Sequence, residues 1–195
     1  EYPDITWGDS TAYNGTVNGA TITQGVNGKG FKFDGSNDYI DLPSYPSSVL
    51  GSSNRTHCFW IKESLSSDGC PFSHRVSSDS KDYEITFRQP DDKLQLATGG
   101  SNRIWNSNSE TFDGEWHHHA IVLDGSQNSD LNWYQDASSL TVSSTNNTTL
   151  NTGNSQVIGG QTSNSKFFKG IIDDVRVYNK SLTQDEIQTI YDRTK

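Results

Sequence analysis

The sequence predicts an all-β chain of antiparallel strands, a sandwich or a barrel, with one short C-terminal helix. Three observations lead there. Short runs alternate with period 2, as in Tyr83, Ile85 and Phe87 against Glu84, Thr86 and Arg88, the pattern of strands buried on one face. Each run is bounded by Gly, Asn, Asp or Ser, the punctuation of strands joined by tight turns. The chain also combines 30% hydrophobic residues with 5 Trp, 8 Tyr and 8 Phe, an aromatic load that disordered segments lack. Ser, Thr, Gly and Asn supply 78 of the 195 residues. Low hydrophobicity therefore reflects solvent-facing strand positions and polar loops, as a thin two-sheet sandwich requires. A chain of this length can bury one sizeable core, and residues 1–195 are read as one domain.

The elements follow in order. Gly25-Val26-Asn27-Gly28-Lys29-Gly30 opens no helical pattern and reads as a turn. Cys58-Phe59-Trp60-Ile61-Lys62 and Cys70-Pro71-Phe72-Ser73-His74 are strand-like runs joined by a polar segment. Paired antiparallel, they would set Cys58 opposite Cys70, a geometry suited to a cross-strand disulfide; two buried thiols are the alternative. Strands follow at Tyr83 to Arg88, at Leu94 and Leu96 around Gln95, and at Arg103-Ile104-Trp105-Asn106. Another includes Trp116-His117-His118-His119, Ile121 and Leu123 and ends at the Asp124-Gly125 turn. Residues 143–154 read as a loop or edge hairpin, Gly159-Gly160 as a turn, and Val175 and Val177 as the inward positions of a late strand. The rhythm breaks once: Thr183-Gln184-Asp185-Glu186 is a capping box, and Ile187, Ile190 and Tyr191 follow at helical spacing.

Several functions are disfavoured. A formal charge of −9 argues against nucleic acid as partner, since phosphate-backbone binders cluster Lys and Arg. No apolar run approaches the roughly 18 residues of a spanning helix, and no glycine-rich phosphate motif is present. The chain begins at Glu1 and has no Met, which reads as a processed chain or excised domain with any signal peptide upstream. Glycosylation sequons at Asn14, Asn54, Asn146, Asn147 and Asn179, with the cysteine pair, point to an extracellular or surface setting.

Five motifs in order resemble one family. They are Gly15-Thr16-Val17-Asn18-Gly19-Ala20 with Gly30-Phe31-Lys32-Phe33-Asp34-Gly35-Ser36-Asn37-Asp38-Tyr39-Ile40; Phe59-Trp60-Ile61-Lys62; Gly114-Glu115-Trp116-His117-His118; Trp133-Tyr134-Gln135-Asp136; and Phe168 through Asn179, followed by Leu182 and Glu186-Ile187. Together they resemble laminin-G-like, concanavalin A-like lectin-glucanase jelly-roll domains over roughly residues 9 to 192. The resemblance implies two face-to-face antiparallel sheets, one of them concave. It also implies a structural calcium ion held by Asp173 and the Asp34-Gly35 turn, with Asp9 as an extra ligand; Ca²⁺ takes six to eight oxygen ligands. The family includes lectins, carbohydrate-binding modules, adhesion modules and glycoside hydrolases, so fold does not decide function.

Chemistry narrows the choice. The hydrolytic relatives carry E-x-D-x-x-E on one strand; here Asp82-Tyr83-Glu84 is followed by Phe87 where the third acid would fall. No G-x-S-x-G elbow supports a Ser-His-Asp site. In the His117-His118-His119 run only His117 and His119 share a face, which is not zinc spacing, and His119 is expected in the core. Sugar sites on such sandwiches combine an aromatic platform with planar polar side chains. The strand faces offer Trp105, Arg103, Arg88, Glu84, Gln95 and His118 for this role, while Trp60, Trp116 and Trp133 read as packing residues. The expectation is a non-catalytic carbohydrate-binding module of an extracellular or surface protein, its partner a glycan or polysaccharide, alongside other domains of a larger protein. The alternatives are a protein-adhesion or virion surface module, and a glycosidase whose acid pair comes from distant strands.

Overall fold

The computed structural model describes residues 15–42, 54–64, 69–74, 83–88, 93–98, 103–106, 113–125, 130–144, 156–161 and 166–195. In chain order its strands begin with β1 (Thr16–Asn18), β2 (Thr21–Gln24), β3 (Lys29–Asp34), β4 (Tyr39–Leu42), β5 (Asn54–Glu63), β6 (Gly69–His74), β7 (Tyr83–Arg88), β8 (Lys93–Thr98) and β9 (Arg103–Asn106). They continue with β10 (Trp116–Asp124), β11 (Leu131–Gln135), β12 (Ser138–Leu140), β13 (Val142–Ser144), β14 (Gln156–Ile158), β15 (Gly160–Gln161), β16 (Lys166–Phe167) and β17 (Lys169–Tyr178), before helix α1 (Gln184–Thr194).

Among the described residues, eight strands form one antiparallel sheet in the order β1-β4-β14-β6-β7-β8-β9-β13. Seven form a second, in the order β12-β11-β10-β5-β17-β3-β2, and β15 and β16 make a small ribbon. β1 and β2 are consecutive yet lie at the edges of different sheets, as do β12 and β13 on the opposite side. The chain thus passes from sheet to sheet at both edges, which closes the sandwich at its corners. This is an antiparallel β-sandwich, one of the two architectures the alternation allows, and the jelly roll that the family resemblance implies.

The period-2 pattern builds the core directly. Phe33 of β3, Phe59 and Ile61 of β5, and Trp133 of β11 pack with Phe72 of β6, Ile85 of β7 and Ile158 of β14 between the sheets. Burying each such side chain stabilises the fold by about 1.5–3 kcal/mol. The other face of the seven-stranded sheet carries a second cluster, in which Cys58, Ala120, Val122 and Ala137 receive Leu182 and Ile187. Helix α1 starts as predicted: Thr183 Oγ1 accepts from Glu186 N at 3.3 Å, and Glu186 Oε2 accepts from Thr183 N at 2.9 Å. Its far end is held by Trp60, whose ring lies 5.5 Å from that of Tyr191 at 18° and whose Nε1–H donates to Thr194 Oγ1 at 2.8 Å.

One irregularity lies in β17. Asp173 pairs with Trp60 and Arg176 with Cys58, so Asp174 and Val175 together oppose a single residue of β5. Asp174 takes φ +48°, a left-handed conformation that Asp tolerates better than most residues. Arg176 Nε donates to Asp174 Oδ1 at 2.9 Å across the bulge.

The disulfide expectation is corrected here. β5 and β6 do not pair; they lie in different sheets, β5 between β10 and β17 and β6 between β14 and β7. Cys58 belongs to the helix-side cluster, while Cys70 Sγ donates to Phe72 O at 3.3 Å within β6. Both are fully buried and no disulfide joins them. Short loops favour hairpins, but joining opposite sheets is the other solution for a loop of this length, and sequence spacing does not distinguish the two.

Two outcomes follow. Thiol titration of the denatured chain should find two reactive thiols without prior reduction, and dithiothreitol should leave the melting temperature unchanged. Ile187→Ala, at a fully buried site under the helix, should lower unfolding stability by about 2–5 kcal/mol in denaturant titration.

Candidate functional site

The antiparallel register of β7, β8 and β9 decides what their outer face presents. Phe72 pairs with Ile85, Ile85 with Leu96 and Leu96 with Ile104. Ile85 is fully buried in the inter-sheet core, so residues offset by one from this row hold register positions on the outer face. One outer row runs Glu84–Ala97–Arg103 and the next Thr86–Gln95–Trp105, while Arg88 pairs with Lys93 in a third. Neighbouring strands lie about 4.8 Å apart and successive outward positions about 6.8 Å apart. The three rows therefore span roughly 10 by 14 Å.

Five of the six residues expected to contact sugar thus share one face: Glu84, Arg88, Gln95, Arg103 and Trp105. Lys93 joins them, a residue the sequence reading passed over because it began that strand at Leu94; its offset of two from Gln95 was the available signal. On the β6 side the face is bounded by the ribbon of β15 and β16. There Ser73 Oγ donates to Gly160 O at 2.9 Å, and Gly159 N donates to Pro71 O at 2.8 Å.

His118 does not belong to this face. It lies on the other sheet, 1% exposed, with its ring 5.4 Å from Trp60 and 6.1 Å from Tyr191 of the helix. Alternation does place it outward from the inter-sheet core, but α1 covers that side. Trp60, 2% exposed, is covered in the same way.

Among the described residues, the two parts of the calcium set, Asp173 and the Asp34-Gly35 turn, are not brought together. Lys169 pairs with Asp34 and Ile172 with Phe31, so Asp173 sits four register steps from Asp34, about 13 Å away along the strands. Calcium–oxygen bonds are about 2.3–2.6 Å long, and one ion does not reach both. Each carboxylate already serves a turn. Asp34 Oδ1 accepts from Ser36 N at 2.7 Å and Asn37 N at 3.3 Å, and the Ser36 N–H foremost draws its pKa down. Gly35 completes that turn at φ +81°. Asp173 Oδ2 accepts from Asn27 N at 2.9 Å and its Oδ1 from Asp174 N at 2.7 Å. A side chain at Gly25 would place its Cβ 2.2 Å from Asp173 Oδ2, so the Gly25–Gly28 turn wraps this carboxylate closely. Asp9 lies outside the described residues, as does Asp82; among the described residues no three His, Cys, Asp or Glu converge on a point.

A cavity of about 400 Å³ opens between the sheets, lined by Phe31, Phe33, Ile40, Leu42, Ile172 and Val175 among others. Its mainly apolar wall is ill suited to a polyol, whose hydroxyls need planar polar partners.

The three consecutive histidines have three environments. His117 Nδ1 lies 2.7 Å from Asp136 Oδ2 and its Nε2 3.2 Å from Asp113 Oδ1. The hydrogen bond to Asp136 foremost raises its pKa above 6.5. Burial pushes His118 down to about 4 and His119 down to about 3. His119 stacks on Phe59 at 5.8 Å, and its Nδ1 accepts from Trp133 Nε1–H at 3.3 Å.

The profile of the concanavalin A-like lectin/glucanases superfamily matches residues 34–188. The chain belongs to this superfamily. No curated protein matches it in sequence. Solved structures share the fold at low identity. Domain 4 of AbnA, a GH43 extracellular arabinanase from Geobacillus stearothermophilus, solved in complex with arabinotriose, aligns with TM-score 0.69 and 19% identity over 91% of this chain and 87% of that one. Trypanosoma rangeli sialidase, in complex with the inhibitor DANA, aligns with TM-score 0.68 and 15% identity over 92% of this chain but 29% of its own. Botulinum neurotoxin type C, whose cell entry depends on interaction with two ganglioside molecules, aligns with TM-score 0.69 and 12% identity over 95% of this chain and 48% of its own. The chain thus spans less than half of the sialidase and toxin chains. The superfamily holds both lectins and glucanases.

The histidines make stability depend on pH with a definite sign. The folded pKa values of His118 and His119 lie below the ordinary 6.5, so the folded state binds fewer protons than the unfolded state. The stability they contribute is complete above pH 6.5 and is lost as pH falls through about 4. His117 acts in reverse: its contribution is present below 6.5 and lost as pH rises through its raised pKa. Melting temperature should fall between about pH 6.5 and pH 4, and His118→Phe should flatten that fall.

Proposed function

We propose that this chain is a non-catalytic saccharide-binding module of an extracellular or surface protein, and that it binds through the outer face of β7, β8 and β9. One observation carries the reading. The register gathers a Trp, two Arg, a Gln and a Glu, each chosen from sequence for sugar chemistry, on one face of three adjacent strands. Trp105 would stack on the apolar face of a pyranose, and the amide, guanidinium and carboxylate groups would bond its hydroxyls. The carbohydrate ligands of the arabinanase domain and the toxin support this choice among the uses of the fold. For the extracellular setting the disulfide argument falls away. Asn54 and Asn179, two of the sequon asparagines, are exposed and carry what support remains.

A second reading has its own surface. Val17 and Ile22 are 45% and 65% exposed on β1 and β2 at the sandwich edge, which is where a protein-adhesion role would lie.

A glycan array followed by calorimetry tests the proposal. Trp105→Ala should weaken the best ligand about tenfold, equivalent to about 1.4 kcal/mol, with melting temperature unchanged. An array blank across diverse glycans would overturn the reading. Affinity should be equal in calcium and in EDTA, because Asp173 lies on the opposite sheet. Release of reducing sugar from any bound polysaccharide would replace the lectin reading with a catalytic one.

A further inference from the structure

We infer that the β7–β9 face selects anionic saccharides, those carrying carboxylate or sulfate groups; this rests on reading that face as saccharide-binding. The argument starts from a contrast of charge. The whole chain carries 15 basic and 24 acidic residues. The eight outer register positions of β7, β8 and β9 reverse that balance, holding Arg88, Lys93 and Arg103 against Glu84 alone.

The placement of these charges matters as much as their number. The row Thr86–Gln95–Trp105 lies between the row of Arg103 and the row of Arg88 and Lys93. A ring stacked on Trp105 would therefore have one cationic position, Arg103, about 6.8 Å away along its own strand and another, Lys93, about 8 Å away diagonally on β8. Glu84 shares a row with Arg103 but stands two strands from it, with Ala97 between, about 10 Å apart. Arginine presents a planar fork of donors that matches carboxylate and sulfate oxygens in pairs.

The net charge of −9 does not defeat this. At physiological ionic strength the Debye length is about 8 Å, smaller than the face. Acidic groups farther away than that are largely screened there; Asp92 directly precedes Lys93 in the sequence, so Arg103 is the cation that carries the selectivity. On the β9 side the neighbouring strand adds no charge of its own: β13, paired to β9, is Val142-Ser143-Ser144.

The experiment is calorimetric titration of the full chain with matched pairs: polygalacturonate and its carboxyl-reduced form, heparin and desulfated heparin, sialyllactose and lactose. At least one acidic member should bind about tenfold tighter than its neutral counterpart, and which pair responds identifies carboxylate or sulfate as the source. Arg103→Gln should weaken the acidic member severalfold more than the neutral one, and so shrink that difference, with the melting temperature unchanged. Raising salt from 0.15 M, where screening acts over about 8 Å, to 1 M, where it acts over about 3 Å, should weaken the acidic ligand severalfold. Equal affinity within every pair, or equal loss of both members in Arg103→Gln, would overturn the charge selectivity and leave the saccharide reading standing. No binding to any of the six would overturn both.

Discussion

Strand β5 is the constraint on which the rest of the molecule depends. Every residue from Arg55 to Ile61 is buried, because the strand has a core on each side. Phe59 and Ile61 face the opposing sheet, while Cys58 and Trp60 face helix α1. A strand covered on both sides loses the usual option of a solvated face. Two of its polar side chains find partners in the C-terminal segment: Thr56 Oγ1 donates to Lys180 O and accepts from Leu182 N, and Trp60 donates to Thr194. Those bonds dock both ends of the C-terminal segment onto the sheet.

The β17 bulge adapts its neighbour to the same requirement. Inserting one residue opposite β5 lets Val175 join the inter-sheet core while Arg176 lies opposite Cys58. The histidine run on β10 shows how strongly depth acts on one side-chain type. Alternation sends His117 and His119 to one face and His118 to the other, yet His117 reaches two carboxylates at the sheet end whereas the other two lie in apolar surroundings. A pKa above 6.5 and two well below it follow from adjacent residues.

The candidate saccharide face has the opposite physical character. It lies on the sheet that carries no helix among the described residues. The polar row around Gln95 and Trp105 exists because three strands, far apart in composition but adjacent in space, pair in register.

Much of this was legible in the sequence. Alternation through Tyr83–Arg88 placed Ile85 inward and Glu84 and Arg88 outward, since a strand allows two faces and no more. The capping box at Thr183 located the helix to the residue, because its hydrogen bonds are local. The five ordered motifs identified the fold. What alternation does not contain is which sheet a strand enters and what lies over its outer face. Cys58 and Cys70 are close in sequence but sit in different sheets; His118 points outward but lies beneath α1; Asp173 and Asp34 belong to paired strands but stand four steps apart in register. The sequence by itself determined strand faces, the helix and the family, because these rest on interactions within a few residues. Strand order, register and coverage were decided by the tertiary structure, because they depend on contacts between segments far apart along the chain.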